Sequence, residues 1–346
     1  MQGASSAYVR QVVVAVAISA FAILLVLALY MASHVLLLIF GGVLLATLLR
    51  GLGDLVSEYT RIPPGLSALL VAALLAGIFG WGGWYLSGEI AGQFDELGRS
   101  LNAMWKQARG VLEKYSWGRD FLASLGEYQI TSGNVGTIGK VIGATLGGVS
   151  GLVLSAIIGL YVAANPALYF NGLLRLVPLS YRPRAGEIMH ELSGTLRRWL
   201  MGTLLLMTIV GTLTALGLYL LGIPLALALG LIMFALEFIP YLGPILAAVP
   251  ALLIASTLGP QDVLYVALLY WAVQSLEGYV LSPLVFHRSA DIPPLVTMSA
   301  QVVLGTMVGV LGIVFATPLA ACALVLVNRV YVEDLLGDRR RAKGSG

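Results

Sequence analysis

Long apolar runs dominate this sequence, and within each run the apolar residues are continuous rather than alternating with polar ones. A helix needs about 20 residues to cross a hydrocarbon core of roughly 30 Å, whereas the strands of a membrane barrel alternate over about ten positions. Backbone amides in lipid must be satisfied within their own segment, which favours helices. The pattern predicts an all-α, polytopic integral membrane protein with about eight membrane segments: 12–32, 35–49, 63–86, 141–164, 200–221, 223–258, 263–286 and 292–327.

Two of these segments, 223–258 and 292–327, are too long for one upright crossing, because 36 helical residues rise about 54 Å. The first contains Pro240, Gly243 and Pro244, and the second contains Gly312 and Pro318. We therefore expect broken helices here. Each segment forms either one long kinked helix or a re-entrant hairpin of two half-helices, and the charge pattern fits both.

Composition narrows the class of protein. Hydrophobic residues make up 59% of the chain and charged residues 11%, against about 45–50% and roughly 25% in soluble domains. These proportions exclude a soluble enzyme, a nucleic-acid-binding domain and a disordered protein. One cysteine and three scattered histidines provide neither a disulfide scaffold nor the spacing of metal ligands, so we expect no metal, no cofactor and no catalytic residue.

The basic residues indicate the orientation in the membrane. Five arginines precede the segment 200–221 and five basic residues follow the segment 292–327, and such residues concentrate in cytoplasmic loops. Both termini are therefore predicted to be cytoplasmic. The expected organisation is N-terminal transmembrane helices at 1–86, an extracytoplasmic amphipathic segment at 87–140, a Gly-rich transmembrane helix at 141–164, a cytoplasmic loop at 165–199, a C-terminal bundle with broken helices at 200–327, and a cytoplasmic basic tail at 328–346 whose last three residues are typical of a cloning remnant.

The extracytoplasmic segment contains an amphipathic pattern. Its apolar residues are spaced alternately by three and four positions, which is typical of a helix with one apolar face, at Phe94, Leu97, Leu101, Met104, Ala108, Val111 and Tyr115. This external helix serves either oligomerisation or gating, or it simply lies on the bilayer or on neighbouring helices. Its balanced charges argue against nucleic acid as a partner.

Small residues recur at every fourth position of the Gly-rich helix: Gly139, Gly143, Gly147, Gly151, Ser155 and Gly159. Small residues at this period share one helix face and let another backbone approach closely. We predict a helix-packing interface, which is either a sliding or subunit interface or a tight static crossing.

Two carboxyl groups lie deep within apolar segments. A carboxyl group at membrane depth costs a few kcal/mol, so it is seldom found there without a role. Glu237 precedes Pro240, which has no N–H and is expected to break the helix, and Glu277 shares a helix face with Gln274. The predicted substrate or ion pathway consists of Glu237, Pro240, Gly243, Pro244, Gln274, Glu277 and Ser282. The alternatives are a proline kink whose neutral Glu237 binds a freed carbonyl, and an interfacial Glu277.

Several motifs resemble the AI-2E family, the autoinducer-2 exporter family of membrane proteins. The first is Glu-Phe-Ile-Pro-Tyr-Leu-Gly-Pro at 237–244, followed by Ala-Ala-Val-Pro at 247–250. The others are Glu277 to Pro283, Gly312 to Leu319, and Leu-Arg-Arg-Trp-Leu-Met-Gly at 196–202, with Thr203 where many members have glutamine. The resemblance implies a bacterial inner-membrane protein, often a homo-oligomer, that exports the quorum-sensing signal autoinducer-2. Some members of the family resemble antiporters of sodium or lithium ions with protons.

Three functions are open at this point. The first is a secondary active transporter that exports a small polar solute, with proton exchange at the two carboxyl groups. The second is a sodium or lithium/proton antiporter, and the third is a non-transporting membrane scaffold built on the external helix. The expected partners are the lipid bilayer, a small polar solute, H⁺ or Na⁺, and further copies of the chain.

Overall fold

The computed structural model describes residues 2–85, 87–114, 146–286 and 292–338. Helices fill these ranges, which contain no β-strand, and this confirms the all-α prediction. Numbered along the described chain, the α-helices are α1 (Gln2–Thr60), α2 (Pro64–Tyr85), α3 (Ser87–Leu112), α4 (Leu146–Ala164), α5 (Pro166–Arg175), α6 (Arg182–Leu220), α7 (Ala226–Leu236), α8 (Leu242–Leu258), α9 (Pro260–Leu276), α10 (Ser282–Phe286), α11 (Pro294–Val308) and α12 (Val310–Leu326). A 3₁₀ turn (Leu179–Tyr181) precedes α6, and π-helical stretches follow α9 (Glu277–Leu281) and α12 (Val327–Leu335).

Within the described ranges, four helices are long and apolar enough to cross a membrane: Met31–Thr60, Leu179–Leu220, Pro260–Phe286 and Val310–Leu335. A fifth candidate is the pair Val153–Ala164 and Pro166–Arg175, which is bent by 90°. Four further apolar helices are shorter: Gly65–Gly77, Ala226–Leu236, Leu242–Leu258 and Pro294–Val308. The chain is therefore built of several helices suited to a membrane, and the count of about eight segments stays a prediction.

The turn predicted between the segments 12–32 and 35–49 is absent, because α1 continues through Ser33 and His34 without a break. Neither residue removes a backbone N–H or requires a positive φ, so nothing local ends the helix. One helix of 59 residues replaces the two predicted segments.

The segment 292–327 is broken as predicted, but at Gly309 rather than at Gly312 or Pro318. Gly309 has a φ of +75°, a conformation that glycine adopts without penalty, whereas Pro318 lies inside α12. A Cβ added at Gly305 would lie 2.8 Å from Cγ1 of Ile313, so positions on either side of Gly309 touch. The helices α11 and α12 thus form a hairpin, one of the two alternatives that the sequence leaves open.

The main apolar core lies between α6, α7, α8 and α9. Its fully buried side chains include Val210, Leu229, Met233 and Val266. Leu97 of the amphipathic helix α3 is buried in the same core. Near the start of α7, the backbone N–H of Ala228 donates to Oε1 of Gln93 in α3, at 3.1 Å. In this structure α3 therefore packs on neighbouring helices of its own chain.

A second core joins α1, α2 and α4, and the described part of the small-residue pattern lies there. The hydroxyl of Ser155 donates to the carbonyl of Leu38 in α1 at 2.7 Å, and a Cβ added at Gly159 would lie 3.0 Å from the carbonyl oxygen of Gly42. Gly151 faces the Leu38 side chain in the same way. These three positions lie at a close crossing of α1 and α4. Gly139 and Gly143 lie outside the described residues, and Gly147 lies in α4, where its surroundings are not described.

The end of the described chain is held to the start of α6 by ion pairs. Arg329 donates to both carboxylate oxygens of Glu191, at 2.6 and 3.0 Å, and Arg184 donates to Glu333 at 2.9 Å. We call the following six residues the terminal ion-pair cluster: Arg184, Glu187, Glu191, Arg329, Glu333 and Asp334. Bidentate pairs of this kind are the stronger form of surface ion pair.

Replacing Arg329 with glutamine is expected to lower the melting temperature by about 1–2 °C, because losing its part in a half-exposed network costs about 1 kcal/mol. Thermal unfolding in detergent, followed by intrinsic fluorescence, measures this change. Lys106→Gln, at an exposed site in α3, is the control and should melt like the original chain. Equal melting temperatures for the two variants would contradict the stabilising role of the cluster.

Candidate functional site

A helix break at residues 237–241 separates α7 from α8, as the sequence predicts. Pro240 lacks an N–H, and Tyr241 has a φ of +67°, which is uncommon for a residue with a Cβ. The chain turns through hydrogen bonds from the N–H of Leu242 to the Pro240 carbonyl and from the N–H of Gly243 to the Ile239 carbonyl, both 2.8 Å long. The break thus leaves two helices of 11 and 17 residues in place of one long helix.

Gly243 permits the close approach of the two helices at this break. A Cβ added at Gly243 would overlap the carbonyl oxygen of Leu236 and lie 2.6 Å from its carbonyl carbon. Real Cβ atoms do not approach so closely, so only glycine allows α8 to start against the end of α7. Gly243 therefore has a packing role in this structure.

A cavity of about 840 Å³ lies beside the break. Parts of α6, of the break, of α9 to α10 and of α11 to α12 contribute to it. The lining residues are Thr195, Trp199, Thr203, Leu206, Glu237, Pro240, Tyr241, Pro244, Gln274, Glu277, Gly278, Ser282, Pro283, Phe286, Ile292, Pro293, Pro294, Thr297, Thr317 and Ala321. The structure thus brings six of the seven predicted pathway residues to one cavity, and Gly243 lies next to it.

The two carboxyl groups meet in this cavity. Glu237 is only 5% exposed, and it lines the cavity together with Glu277, within range of an electrostatic interaction. The Ser282 hydroxyl lies 3.5 Å from Oε1 of Glu277, at the limit of a hydrogen bond. None of the lining residues that the structure describes is a lysine, an arginine or a histidine. Among the described lining residues, the two acids therefore have no basic partner.

Three polar atoms at the cavity are buried without a hydrogen-bond partner in the protein: Oε2 of Glu237, Nε2 of Gln274 and Oγ1 of Thr317. Buried polar groups in folded proteins nearly always have a partner. Unsatisfied donors and acceptors are thus grouped around one cavity. In the described part of the chain, no group of three or more His, Cys, Asp or Glu side chains has the arrangement of a metal site.

Several functional side chains were not predicted from the sequence. Thr195, Thr203, Thr297 and Thr317 add hydroxyl groups to the lining, and threonine in an apolar helix is too common to single out. Gln301 in α11 is 2% exposed, and its Nε2 donates to the carbonyl of Pro240 at 2.9 Å. A lone amide in the apolar segment 292–327 was a signal that could have identified it.

Replacing Gln301 with methionine is expected to destabilise the protein by about 1 kcal/mol, because a carbonyl at the break loses one of its donors. Thermal unfolding measures the change, and flux through reconstituted vesicles should fall with it. Thr306→Val, which removes an exposed hydroxyl from the same helix, serves as the control. If Gln301→Met unfolds at the same temperature as this control, the hydrogen bond does not hold the break in place.

Comparison of the sequence with known proteins identifies a family. The family model described as "AI-2E family transporter" matches residues 19–331, nearly the whole chain. "Putative transport protein YrrI" of Bacillus subtilis is 36% identical over 152 residues, which cover 44% of this chain and 43% of the relative. "Putative transport protein YueF" of the same organism is 33% identical over 170 residues, 49% of this chain and 46% of the relative.

A more distant relative comes from Escherichia coli. "Putative permease PerM" is 27% identical over 160 residues, which cover 46% of this chain and 45% of the relative. The matched region thus spans less than half the length of each of these curated relatives. The family match, which extends from α1 to the end of the bundle, confirms the resemblance seen in the motifs around Glu237 and Glu277. The chain belongs to the AI-2E family of membrane transporters.

Proposed function

We propose that this protein is a secondary active transporter that exports a small polar solute across the bacterial inner membrane, with proton exchange at Glu237 and Glu277. The observation that carries the proposal is the cavity itself. It combines two adjacent carboxyl groups with three unpartnered polar atoms in a bundle of apolar helices. Broken helices with polar groups at membrane depth are typical of secondary transporters.

The chemistry of the lining restricts the solute. A volume of about 840 Å³ is within the usual range for small-molecule sites, roughly 300–1,000 Å³. Two acids without a basic residue disfavour an anion, whereas hydroxyl and amide groups suit a neutral, hydroxyl-bearing solute. The family resemblance names autoinducer-2, so we include it as the first solute to test.

The paired acids support the coupling to protons. Two carboxylates in contact repel each other strongly in a low-dielectric site, so the pair is most stable when it holds one positive charge. A proton supplies that charge in one step of the cycle. In another step the hydroxyl groups of the neutral solute, or a cation, bind the carboxylates in its place. Proton movement and solute movement are then linked because both compete for the same two groups.

A sodium or lithium/proton antiporter is the second candidate. Carboxylate and hydroxyl oxygens are the ligands that hard cations prefer, and Ser282, Glu277 and Glu237 bring such oxygens together. A non-transporting scaffold has less support. Leu97 and Gln93 of α3, the helix on which that hypothesis depends, contact the core and α7 of the same chain.

Flux measurements in reconstituted vesicles separate these functions. A pH-sensitive dye inside the vesicles reports proton movement after addition of Na⁺, Li⁺ or K⁺, and radiolabelled autoinducer-2 reports solute movement under an imposed pH gradient. Solute flux that depends on the pH gradient supports export, and proton release on adding Na⁺ or Li⁺ alone supports the antiporter. If neither occurs with a folded protein, the transporter proposal is wrong for these substrates.

The proposal includes the topology and assembly inferred from the sequence: both termini in the cytoplasm, and a homo-oligomer. Labelling of Gly259→Cys in a Cys322→Ala background tests the topology of the segment 223–258, since Gly259 lies between α8 and α9. A membrane-impermeant thiol reagent applied from outside should leave this site unlabelled if the segment 223–258 crosses once. Labelling from outside would instead support a re-entrant hairpin.

A further inference from the structure

The helix α5 leaves the helix before it at a right angle. The 19 residues of α4 rise about 28 Å, close to the thickness of a hydrocarbon core, and α5 begins at Pro166 after a 90° bend. Pro166 fits this position because the first turn of a helix needs no donor there. Where α4 crosses the membrane, α5 runs along the membrane surface.

One face of α5 packs on α6 of the same chain. The rings of Phe170 and His190 lie with their centroids 4.6 Å apart. The Leu174 side chain lies 4.0 Å from the position that a Cβ would take at Gly186 in α6. These contacts hold the helix in a defined rotation about its axis, so its remaining surface has a defined direction.

The opposite face presents large apolar side chains outward. At 100° per residue, Leu168, Tyr169, Leu173 and Leu176 fall on one arc of the helix, away from Phe170 and Leu174. We call these four residues the α5 stripe. Leu168 is 67% exposed and Leu176 is 82% exposed, and Leu173 and Tyr169 are also exposed. Leaving such a stripe in water is unfavourable, which indicates that it has an apolar surrounding.

The chain segment that contains the stripe has positive charges only, and Arg184 near its end is paired with Glu187, Glu333 and Asp334. Residues 165–186 contain three arginines and no acidic residue. Arg175 is exposed at the edge of the stripe, and Arg182 donates to the carbonyls of Val177 and Arg175, at 3.0 and 3.2 Å, which holds the following turn. An apolar face flanked by arginine is the pattern of a helix that lies in the interface of an anionic membrane.

We propose that α5 is an interfacial anchor that binds anionic phospholipid, with the α5 stripe inserted among the upper acyl chains and Arg175 at the headgroups. A lipid surface fits better than a second copy of the chain, because α4 also has exposed apolar side chains, among them Leu154, Ile157 and Tyr161, and a single residue separates the two helices. This role is independent of the transported solute and rests only on α4 crossing the membrane.

Nitroxide labels test the position of the stripe in vesicles of phosphatidylcholine with phosphatidylglycerol. The labels are placed at Leu176→Cys and, as a matched control, at the exposed Asn171→Cys on another face of α5, both with Cys322→Ala. The Leu176 label should collide more with oxygen than with a water-soluble nickel chelate, and the Asn171 label should show the reverse. Nickel access at both positions, or dipolar broadening at Leu176 from a neighbouring copy, would overturn the proposal.

Spin-labelled lipids test the headgroup preference. The protein should retain labelled phosphatidylglycerol in preference to labelled phosphatidylcholine, and Arg175→Gln should reduce this preference by up to about fivefold. Lys106→Gln removes an exposed charge from α3 and should leave the preference unchanged. An equal preference in the Arg175→Gln and original proteins would show that α5 has no anionic lipid site.

Discussion

Vesicles that contain Glu237→Gln are expected to lose at least nine tenths of their proton-linked flux while the protein keeps its fold. Glutamine has the size of glutamate and remains polar, but its NH2 group replaces one carboxyl oxygen and it carries no exchangeable acidic proton. Because the Glu237 carboxyl group is buried against Glu277, the pair would then have a single titrating member. The two side chains could then no longer share and exchange one proton.

The measurement is the initial rate of dye response after a pH jump, compared at equal amounts of reconstituted protein. Glu58→Gln is the matched control, since Glu58 is an exposed acid near the end of α1 and outside the cavity lining. It should retain the original rate. Full flux in Glu237→Gln would contradict proton exchange at this pair, although transport of a neutral solute by another coupling would still be open to test.

Gly243→Ala is expected to destabilise the protein by about 3 kcal/mol or more, the range of severe steric changes in a packed core. The added Cβ meets the backbone of Leu236, which cannot rotate away as a side chain can. Pro240 and the strained backbone at Tyr241 further restrict any shift of the break. The melting temperature should fall by about 4 °C or more, or the protein should fail to fold.

Gly77→Ala provides the comparison, because a Cβ at Gly77 in α2 meets no atom within 4 Å. Alanine favours helix over glycine by about 1 kcal/mol, so this variant should melt at the same temperature or slightly higher. Thermal unfolding of the two variants side by side isolates the steric effect from the general effect of glycine. If Gly243→Ala and Gly77→Ala unfold at the same temperature, the close approach of α7 and α8 is not required for the fold.

The residues around the break show how much of the site the sequence could predict. Glu237, Pro240 and Pro244 are visible as anomalies in an apolar run, since an acid and two prolines are each unfavourable there, and the structure brings them to one cavity. Gln301 and Thr317 reach the same region from the helical hairpin. Their role depends on which helices pack together, and no local pattern reports that packing.

Some helix breaks were predicted correctly and others were not, again because packing between helices decides part of them. Pro240 has no backbone N–H to donate and restricts the backbone of the residue before it. Its effect on the helix is therefore local and can be predicted from the sequence. Gly309 and Gly312 look alike in the sequence, and only the packing of α11 against α12 decides that Gly309 takes the positive φ. The missing turn at Ser33 and His34 is the opposite case, because polar residues alone do not end a helix.

The enclosure of the carboxyl pair has a consequence for biosynthesis. Thr317 is added about 80 residues after Glu237, which takes a ribosome roughly 4–16 s at about 5–20 residues per second. During that interval the nascent chain holds an acid at membrane depth before Gln301 and Thr317 exist to complete its surroundings. We therefore expect the segment that contains Glu237 to insert less favourably on its own than together with the last hairpin.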